Sequence, residues 1–284
     1  MMLKEKVEKI LDRKIQTVLL DREYLPVNAG ERILITGADG SIGRALSSRL
    51  QEYDNIVVMT TDIVGDHTYL DITDFQNTFS VINKFNPTII VNIAGAKHAP
   101  LGEREIWKTL SINTIGTMNL IDAMPAGCKL TLTSTCKGNN PEVVYGASKL
   151  IAEKMTLSAG GSVARFFNVI ESVGNVFEIW ERVPLDQPIR VAKNCERHFI
   201  SIEESVGLII HAMTAEPGRY IVNSPTTRRM SDVAEALHPS RDKVFMRPRI
   251  GDRTKELFKA SSEEIESYKL NTSIIKLSNI HDLE

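Results

Sequence analysis

The chain has 284 residues, 42% of them hydrophobic and 25% charged, and a formal net charge of -2. That is the composition of an ordinary globular protein with room for a large core, and it argues against a general nucleic-acid or membrane-surface binder. No apolar run reaches the roughly 18 residues that a bilayer span needs.

The start, MMLKEKVEKILDRK, has no apolar signal core. The three cysteines, Cys128, Cys136 and Cys195, are odd in number and form no CxxC pair. Both features predict a cytoplasmic chain with free thiols and no metal site. Leu3, Val7, Ile10, Leu11, Ile15 and Val18 recur at helical spacing opposite a Lys/Glu/Arg face, which predicts a helix packed on its own domain or on a partner copy. LPVNAGE then ends the pattern.

From residue 32 the runs RILITGA, NIVVMTTD, TIIVNIAG, KLTLTST and SVARFFNVI are short, apolar and β-branched. Amphipathic stretches separate them near 42–52, 74–85, 104–124 and 145–158. Strands apolar on both faces, alternating with helices, predict an α/β fold with a Rossmann-like, doubly wound parallel sheet. After residue 172 the alternation loosens, with short strands expected at PIRVAK, RYIVN and KVFMRP. The expected division is an N-terminal helix and linker (1–30), a dinucleotide-binding core (31–172) and a small C-terminal α/β substrate lobe with returns to the core (173–284). Such a lobe would cover the carboxyl ends of the strands, where doubly wound sheets bind ligands. The last fifteen residues carry no clear pattern and are expected to pack loosely.

ITGADGSIGRAL follows a strand and opens a helix. Gly37 permits the tight turn, Gly40 lets backbone approach a pyrophosphate, and Gly43 allows close helix–strand packing; Asp39, Ser41 and Ile42 complete the loop. Asp62 ends the second strand about 20 residues on, where an acid accepts from ribose hydroxyls and repels a 2′-phosphate, so NAD is favoured over NADP. Asp71 either faces the adenine or caps a helix starting near Thr73, with Ile72 beside it. Ala94 and Gly95 of NIAG join the cofactor set.

Tyr145 and Lys149 stand four apart at the start of a helix, on one face. An ammonium beside a phenol lowers its pKa and makes it a usable base. Ser134 and Thr135, ending the preceding strand, are the hydroxyls expected to share the substrate's proton.

TGADGSIG, NIAGAKHAPLGE, INTIGTMNLIDA, STCKGNNPEVVYGASK, RFFNVIESVGNV, RHFISIEESVGLI and RIGDRTKELF together resemble the extended short-chain dehydrogenases. More narrowly, they resemble the UDP-N-acetylglucosamine 4,6-dehydratases of polysaccharide biosynthesis, over roughly residues 15–265. The resemblance implies that Tyr145 and Lys149 oxidise a sugar's 4-hydroxyl with NAD. Lys137 is the matching base for the C5 proton, and loss of the 6-hydroxyl then gives a 4-keto-6-deoxy sugar. It also implies a diphosphate clamp of Arg197 and Arg249 with Asn168, and a sugar-side loop with His98 and Pro100. Glu171 is a further candidate for reaching the sugar, and Asn113 matches an asparagine behind the catalytic lysine. The partner so implied is a UDP-linked sugar, in a homo-oligomeric enzyme.

The family's STDK is STCK here, so Cys136 stands where an aspartate is expected. Cys136 is then a weaker acid in an altered dehydration, or a thiolate favoured by Lys137, or a small buried thiol without a chemical role. The open alternatives are an epimerase working through a keto intermediate and a dehydratase that leaves a 5,6-alkene. A further one is a non-catalytic NAD-binding sensor, which would need only the glycine loop.

Overall fold

The computed structural model describes residues 4–15, 27–249, 253–266 and 273–279. In chain order the core elements are α1 (Lys4–Leu11), β1 (Arg32–Thr36), α2 (Ser41–Leu50), β2 (Val57–Asp62), β3 (Thr68–Tyr69), α3 (Phe75–Phe85) and β4 (Ile89–Asn92). There follow α4 (Ala99–Gly102), α5 (Ile106–Leu110), a π-helical turn (Ser111–Ile115), α6 (Gly116–Ala123), β5 (Lys129–Thr135) and α7 (Val144–Ser158). Next come β6 (Ser162–Phe166), β7 (Asn168–Val169), α8 (Val176–Arg182), β8 (Ile189–Ala192), β9 (Glu196–Ile200) and α9 (Ile202–Thr214). The chain closes with β10 (Gly218–Val222), β11 (Thr226–Arg229), α10 (Met230–Leu237), β12 (Lys243–Met246), β13 (Glu263–Glu266) and β14 (Ile274–Asn279).

Nine strands form the central sheet in the order β13-β14-β10-β6-β5-β4-β1-β2-β3. From β3 to β10 every pairing is parallel, and β14 and β13 add an antiparallel edge. Strand alternation sorts the core into two layers. Ile33, Ile35, Ile89 and Val91 pack with Leu46 and Leu50 of α2 and with Ile209 and Met213 of α9. Leu34, Ile90 and Leu130 pack on the other face with Ile82 and Phe85 of α3 and Leu120 of α6. This is the doubly wound parallel sheet that the strand pattern implied.

Three local readings change. SVARFFNVI is not one strand: β6 stays in the central sheet while β7 pairs with β9 in a separate three-stranded sheet with β11. Phe167 at the break stacks on Phe258, 5.6 Å between centroids, and turns Asn168 away from the central sheet. RYIVN joins the central sheet as β10 rather than the lobe. The last fifteen residues were expected to pack loosely; of these, 270–272 and 280–284 lie outside the described residues, while within 273–279 β14 pairs with β10 and β13 and buries Ile274 and Leu277. Its two buried positions lie three apart, so the period-two signature of a strand is missing from the sequence.

The N-terminal helix ends at Leu11, with Asp12 at φ 57, and residues 16–18 lie outside the described set. Val7, Ile10, Leu11 and Ile15 pack on the chain's own Phe177, Trp180, Ile189, Phe199 and Val233. That second core is formed by α8, α10, β8 and β9, above the carboxyl ends of the central strands.

Candidate active site

Gly37, at φ 69, makes the turn out of β1, and a Cβ there would lie 2.6 Å from the Ala94 nitrogen. At Gly43 a Cβ would collide with the Gly37 carbonyl and Ala38, so helix and strand can meet only without one. Gly40 has no such neighbour, since a Cβ there would meet only the Gly37 oxygen at 3.4 Å. It caps α2 with no side-chain acceptor, which leaves the first amides of the helix facing a cavity of about 510 Å³. Gly40, Ser41, Ile42, Asp62, Asp71, Ile72, Ala94, Gly95, Tyr145 and Lys149 all line it.

Asp62 Oδ2 accepts from the Asp39 amide at 2.9 Å, and Oδ1 accepts from the amides of Ile63 at 2.7 Å and Val64 at 3.3 Å. The carboxylate therefore shapes the glycine loop as well as facing the cavity. Asp39 is held by Arg44 at 2.9 Å. Asp71 is not a helix cap: it binds the Thr73 amide and hydroxyl at 2.9 and 2.7 Å, whereas Asp74 caps α3 through the Asn77 amide. A cradle that a Cβ would fill, uncapped helix amides and an acid at the end of β2 fit a dinucleotide, with the ribose at Asp62.

Lys149 Nζ donates to the Thr133 carbonyl at 3.0 Å, and burial lowers its pKa to about 8 against the raising effect of Glu153. Tyr145, one turn earlier, is buried, and its pKa is raised by that burial; Lys137 and a hydrogen bond with Thr135 oppose the rise. Two expectations change here. The cation that works against burial at the phenol is Lys137 rather than Lys149, because Lys149 is drawn onto the strand. Ser134 lines this first cavity, but its hydroxyl is engaged, donating to Glu153 at 2.5 Å, and Thr135 lines neither it nor the cavity under the lobe. Thr135 is the hydroxyl beside Tyr145.

Behind this pair Glu153 binds Arg165 at 2.5 Å and Arg219 at 2.8 Å, and Glu263 binds Arg165 at 2.7 Å and Arg219 at 3.1 Å. All four are buried, and together they tie α7 to β6, β10 and β13. Asn113, in the π-helical turn, accepts from the Ala96 amide at 2.8 Å and donates to the Ala96 carbonyl at 3.1 Å and the Ser148 hydroxyl at 2.9 Å. It pins the loop after β4 to α7. A π turn at such a place is a frequent mark of a functional site, and the sequence reading took 104–124 as one regular helix.

A second cavity of about 710 Å³ lies under the lobe, and Lys97, His98 and Ser172 line both cavities. Pro100, Lys137, Asn168, Arg197 and Arg249 line the second, with Arg190 and Arg247 as cations the sequence reading had not singled out. Arg249 is exposed, while Arg197 is buried and donates to the Arg253 carbonyl at 2.6 Å. Burial, with Lys97 and Arg249, lowers the His98 pKa. Glu171 is a correction: it lines neither cavity, and its carboxylate accepts from the Ile202 amide at 2.9 Å, at the start of α9.

Cys136 is buried, and burial with the nearby Glu256 pushes its thiol up to about 12, which disfavours the thiolate alternative. Burial disfavours the Lys137 charge, but Glu256 at 3.2 Å outweighs it and the pKa is raised. Lys137 is therefore an ammonium and not the free amine expected of a base. Glu256 was missed. It sits within RIGDRTKELF, the segment already noted for its arginine, and a carboxylate four residues after a conspicuous Gly-Asp was the available signal.

A doubly wound sheet with this glycine loop and a Tyr/Lys pair on α7 is the build of an extended short-chain dehydrogenase/reductase. The chain belongs to the polysaccharide biosynthesis protein family, whose profile matches residues 58–277. It is 29% identical over 247 residues to the probable polysaccharide biosynthesis protein EpsC of Bacillus subtilis, covering 76% of this chain and 41% of EpsC. The chain thus spans less than half the length of that relative. It is 25% identical over 285 residues to an inverting UDP-N-acetylglucosamine 4,6-dehydratase of Campylobacter jejuni, covering 87% of this chain and 84% of that protein. The X-ray structure of Pen from Bacillus thuringiensis superposes with a TM-score of 0.75 at 22% identity, over 89% of each chain. Among the described residues, no helix is long and apolar enough to cross a membrane.

Proposed function

We propose that this chain is an NAD-dependent nucleotide-sugar dehydratase acting on UDP-N-acetylglucosamine or a related UDP-sugar. The observation that carries the reading is the junction of the two cavities: Tyr145 and Lys149 line the one at the glycine loop, and His98 lines both it and the cationic one under the lobe. A dinucleotide in the first and a sugar diphosphate in the second would meet there, with Arg197, Arg249 and Asn168 on the diphosphate. The dehydratase from Campylobacter jejuni, similar over most of both chains, supports the substrate class.

Gly37, Gly40, Gly43 and the start of α2 would hold the pyrophosphate, and Asp62 the adenosine ribose, which favours NAD over NADP. The chemistry that a bound NAD supplies is acceptance and return of a hydride. Tyr145 is placed to take the proton of the sugar's 4-hydroxyl, with Thr135 bonded to the phenol. The ketone so formed acidifies the C5 proton. The C5 proton and the 6-hydroxyl would then leave as water, on the side of the large cavity where Lys137 and Asn168 lie, with the buried Cys136 behind that wall and not lining it.

A second reading is favoured by Cys136. A buried thiol pushed up to about 12 puts no strong acid at that place, which suits a 4-epimerase, whose reaction keeps the 6-hydroxyl. A variant that leaves a 5,6-alkene still loses that hydroxyl and differs only in where the hydride returns. One experiment separates the readings. The purified protein is incubated with UDP-N-acetylglucosamine and NAD in deuterated water, and products are followed by mass and NMR. Loss of water with deuterium at C5 supports the 4,6-dehydratase, and loss of water with an alkene signal supports the variant. Inversion at C4 without loss of water supports the epimerase. No turnover across a panel of UDP-sugars sinks the proposal.

A further inference from the structure

Lys137 stands between the large cavity and a smaller one of about 140 Å³ behind it, and lines both. The rear cavity is bounded by Cys136, Glu142, Val143, Arg253, Glu256 and Leu257. At its inner end the Glu256 side chain is only 4% exposed, and both of its oxygens are engaged. Oε1 faces Lys137 Nζ at 3.2 Å and Arg197 Nε at 3.6 Å. Oε2 accepts from Asn168 Nδ2 at 2.6 Å and from the His198 amide at 3.1 Å. Asn168 in turn offers its Oδ1 to Lys137 at 3.4 Å.

A carboxylate out of water is costly unless its lone pairs are filled, and its partners are then fixed in return. Here those partners come from the turn after β5, from β7 and from β9. One carboxylate thus joins the central sheet to the small sheet at the floor of the large cavity. His198 braces it from behind: its ring stands edge-on to the stacked Phe167 and Phe258, and its Nδ1 meets Thr227 Oγ1 at 2.8 Å.

We infer that Glu256 is the positioning residue of this floor, fixing the Lys137 ammonium so that it meets the sugar as a preset hydrogen-bond donor, with Asn168 held beside it by its two amide hydrogens on Glu256 and the His198 carbonyl. The inference rests on the reading of the large cavity as a nucleotide-sugar site. The neutral Cys136 thiol brings no charge to the adjacent position, so the negative charge that holds Lys137 comes from the C-terminal segment. The other groups acting on Lys137 are Cys136 and Tyr145, neutral in their protonated forms, and the cationic Arg197. Glu142 and Arg253, on the rear cavity, pair with each other at 3.2 Å. Without Glu256, burial and Arg197 would both act against the Lys137 charge.

The test reads Lys137 directly. Competitive acetylation of the full chain across pH, quantified by peptide mass spectrometry, gives the titration midpoint of its amine without any sugar turnover. In the wild-type protein the midpoint is expected above that of an ordinary lysine, about 10.4. In Glu256→Gln it should fall by at least about one pH unit, and in Glu256→Asp by less. The Gln variant should also lose about tenfold in kcat with UDP-N-acetylglucosamine, with KM less affected and the pH–rate profile gaining a basic limb; Glu256→Asp should recover part of the loss. A wild-type midpoint at or below an ordinary lysine's overturns the inference whether or not the variants fold, as does an unmoved midpoint in a folded Gln variant. Absence of turnover with a raised wild-type midpoint would count against the sugar reading and leave the Lys137–Glu256 coupling standing.

Discussion

The Lys149 ammonium donates to the backbone carbonyl of Thr133 at 3.0 Å, four residues along α7 from Tyr145. Burial brings its pKa down to about 8, with Glu153 one turn further holding it up. The sign is that of a cation lost early: Lys149 is charged below about pH 8 and neutral above it. If the charged form serves the Tyr145 proton transfer, kcat at saturating substrate should decline as pH rises through that value. Glu153→Gln should move the decline to lower pH. A kcat flat across this range would sink the assignment of the ammonium as the working form.

Tyr145 lines the cavity at the glycine loop, and the Thr135 hydroxyl acts on its phenol. Tyr145→Phe keeps the ring packing and removes only the proton acceptor. The expected loss in kcat is about 10²–10⁴-fold, with NAD affinity by calorimetry little changed. Residual activity near the wild-type level would move the base elsewhere.

The sheet was legible because its strands are buried on both faces and read as unbroken apolar runs, β1 and β4 most clearly. The glycine loop was legible because its spacing falls between a strand and a helix, although the structure gives a backbone requirement only to Gly37 and Gly43 of its three glycines. Side-chain direction was harder. Ser134 and Thr135 are equivalent in sequence, and only the pleat shows that one points to Glu153 and the other to Tyr145. Glu171 lies near the right segment but is spent on the start of α9. Glu256 reaches Lys137 across 119 positions, a pairing that no local pattern carries.

Gly43 tests the loop. A Cβ there meets backbone on both sides, the Gly37 carbonyl and Ala38, so neither can yield by rotating a side chain. Gly43→Ala should cost about 1–3 kcal/mol in urea unfolding, as overpacking does, and weaken NAD binding through displacement of the loop. At Gly40, where no backbone stands in the way, Ala should leave stability nearly unchanged and act on NAD affinity alone. Equal effects of the two substitutions on stability would contradict this division of roles.

The buried quartet of Glu153, Arg165, Arg219 and Glu263 should set the acid limit of the fold. Burial raises the Glu153 pKa, but Arg165, Arg219 and Ser134 outweigh it and hold it near 2, below its ordinary 4.5. A carboxylate depressed in the folded state stabilises above the ordinary value, and that contribution is lost as pH falls from 4.5 towards 2. A shift of this size corresponds to about 3 kcal/mol. Urea unfolding at pH 6 and pH 3 should show it, and Glu153→Gln should be less stable at pH 6 with a shallower decline on acidification. Parallel pH dependences for the two proteins would remove the quartet from that role.

Cys136→Asp asks where the site's negative charge belongs. In the wild-type protein the thiol is neutral and Glu256 alone pairs with Lys137 from that side. A new aspartate would give the site a stronger acid than a thiol pushed up to about 12, and water loss from UDP-N-acetylglucosamine should rise about tenfold. It would also stand near Glu256, and two buried carboxylates repel, so part of the gain should be lost to a raised pKa and lower stability. Cys136→Asp combined with Glu256→Gln removes that repulsion and moves the charge from the C-terminal segment to the turn after β5. The double variant should recover the stability lost in Cys136→Asp and exceed Glu256→Gln in turnover. If Cys136→Asp alone leaves water loss unchanged or abolishes it while the chain stays folded, the thiol is not a weakened acid of the elimination.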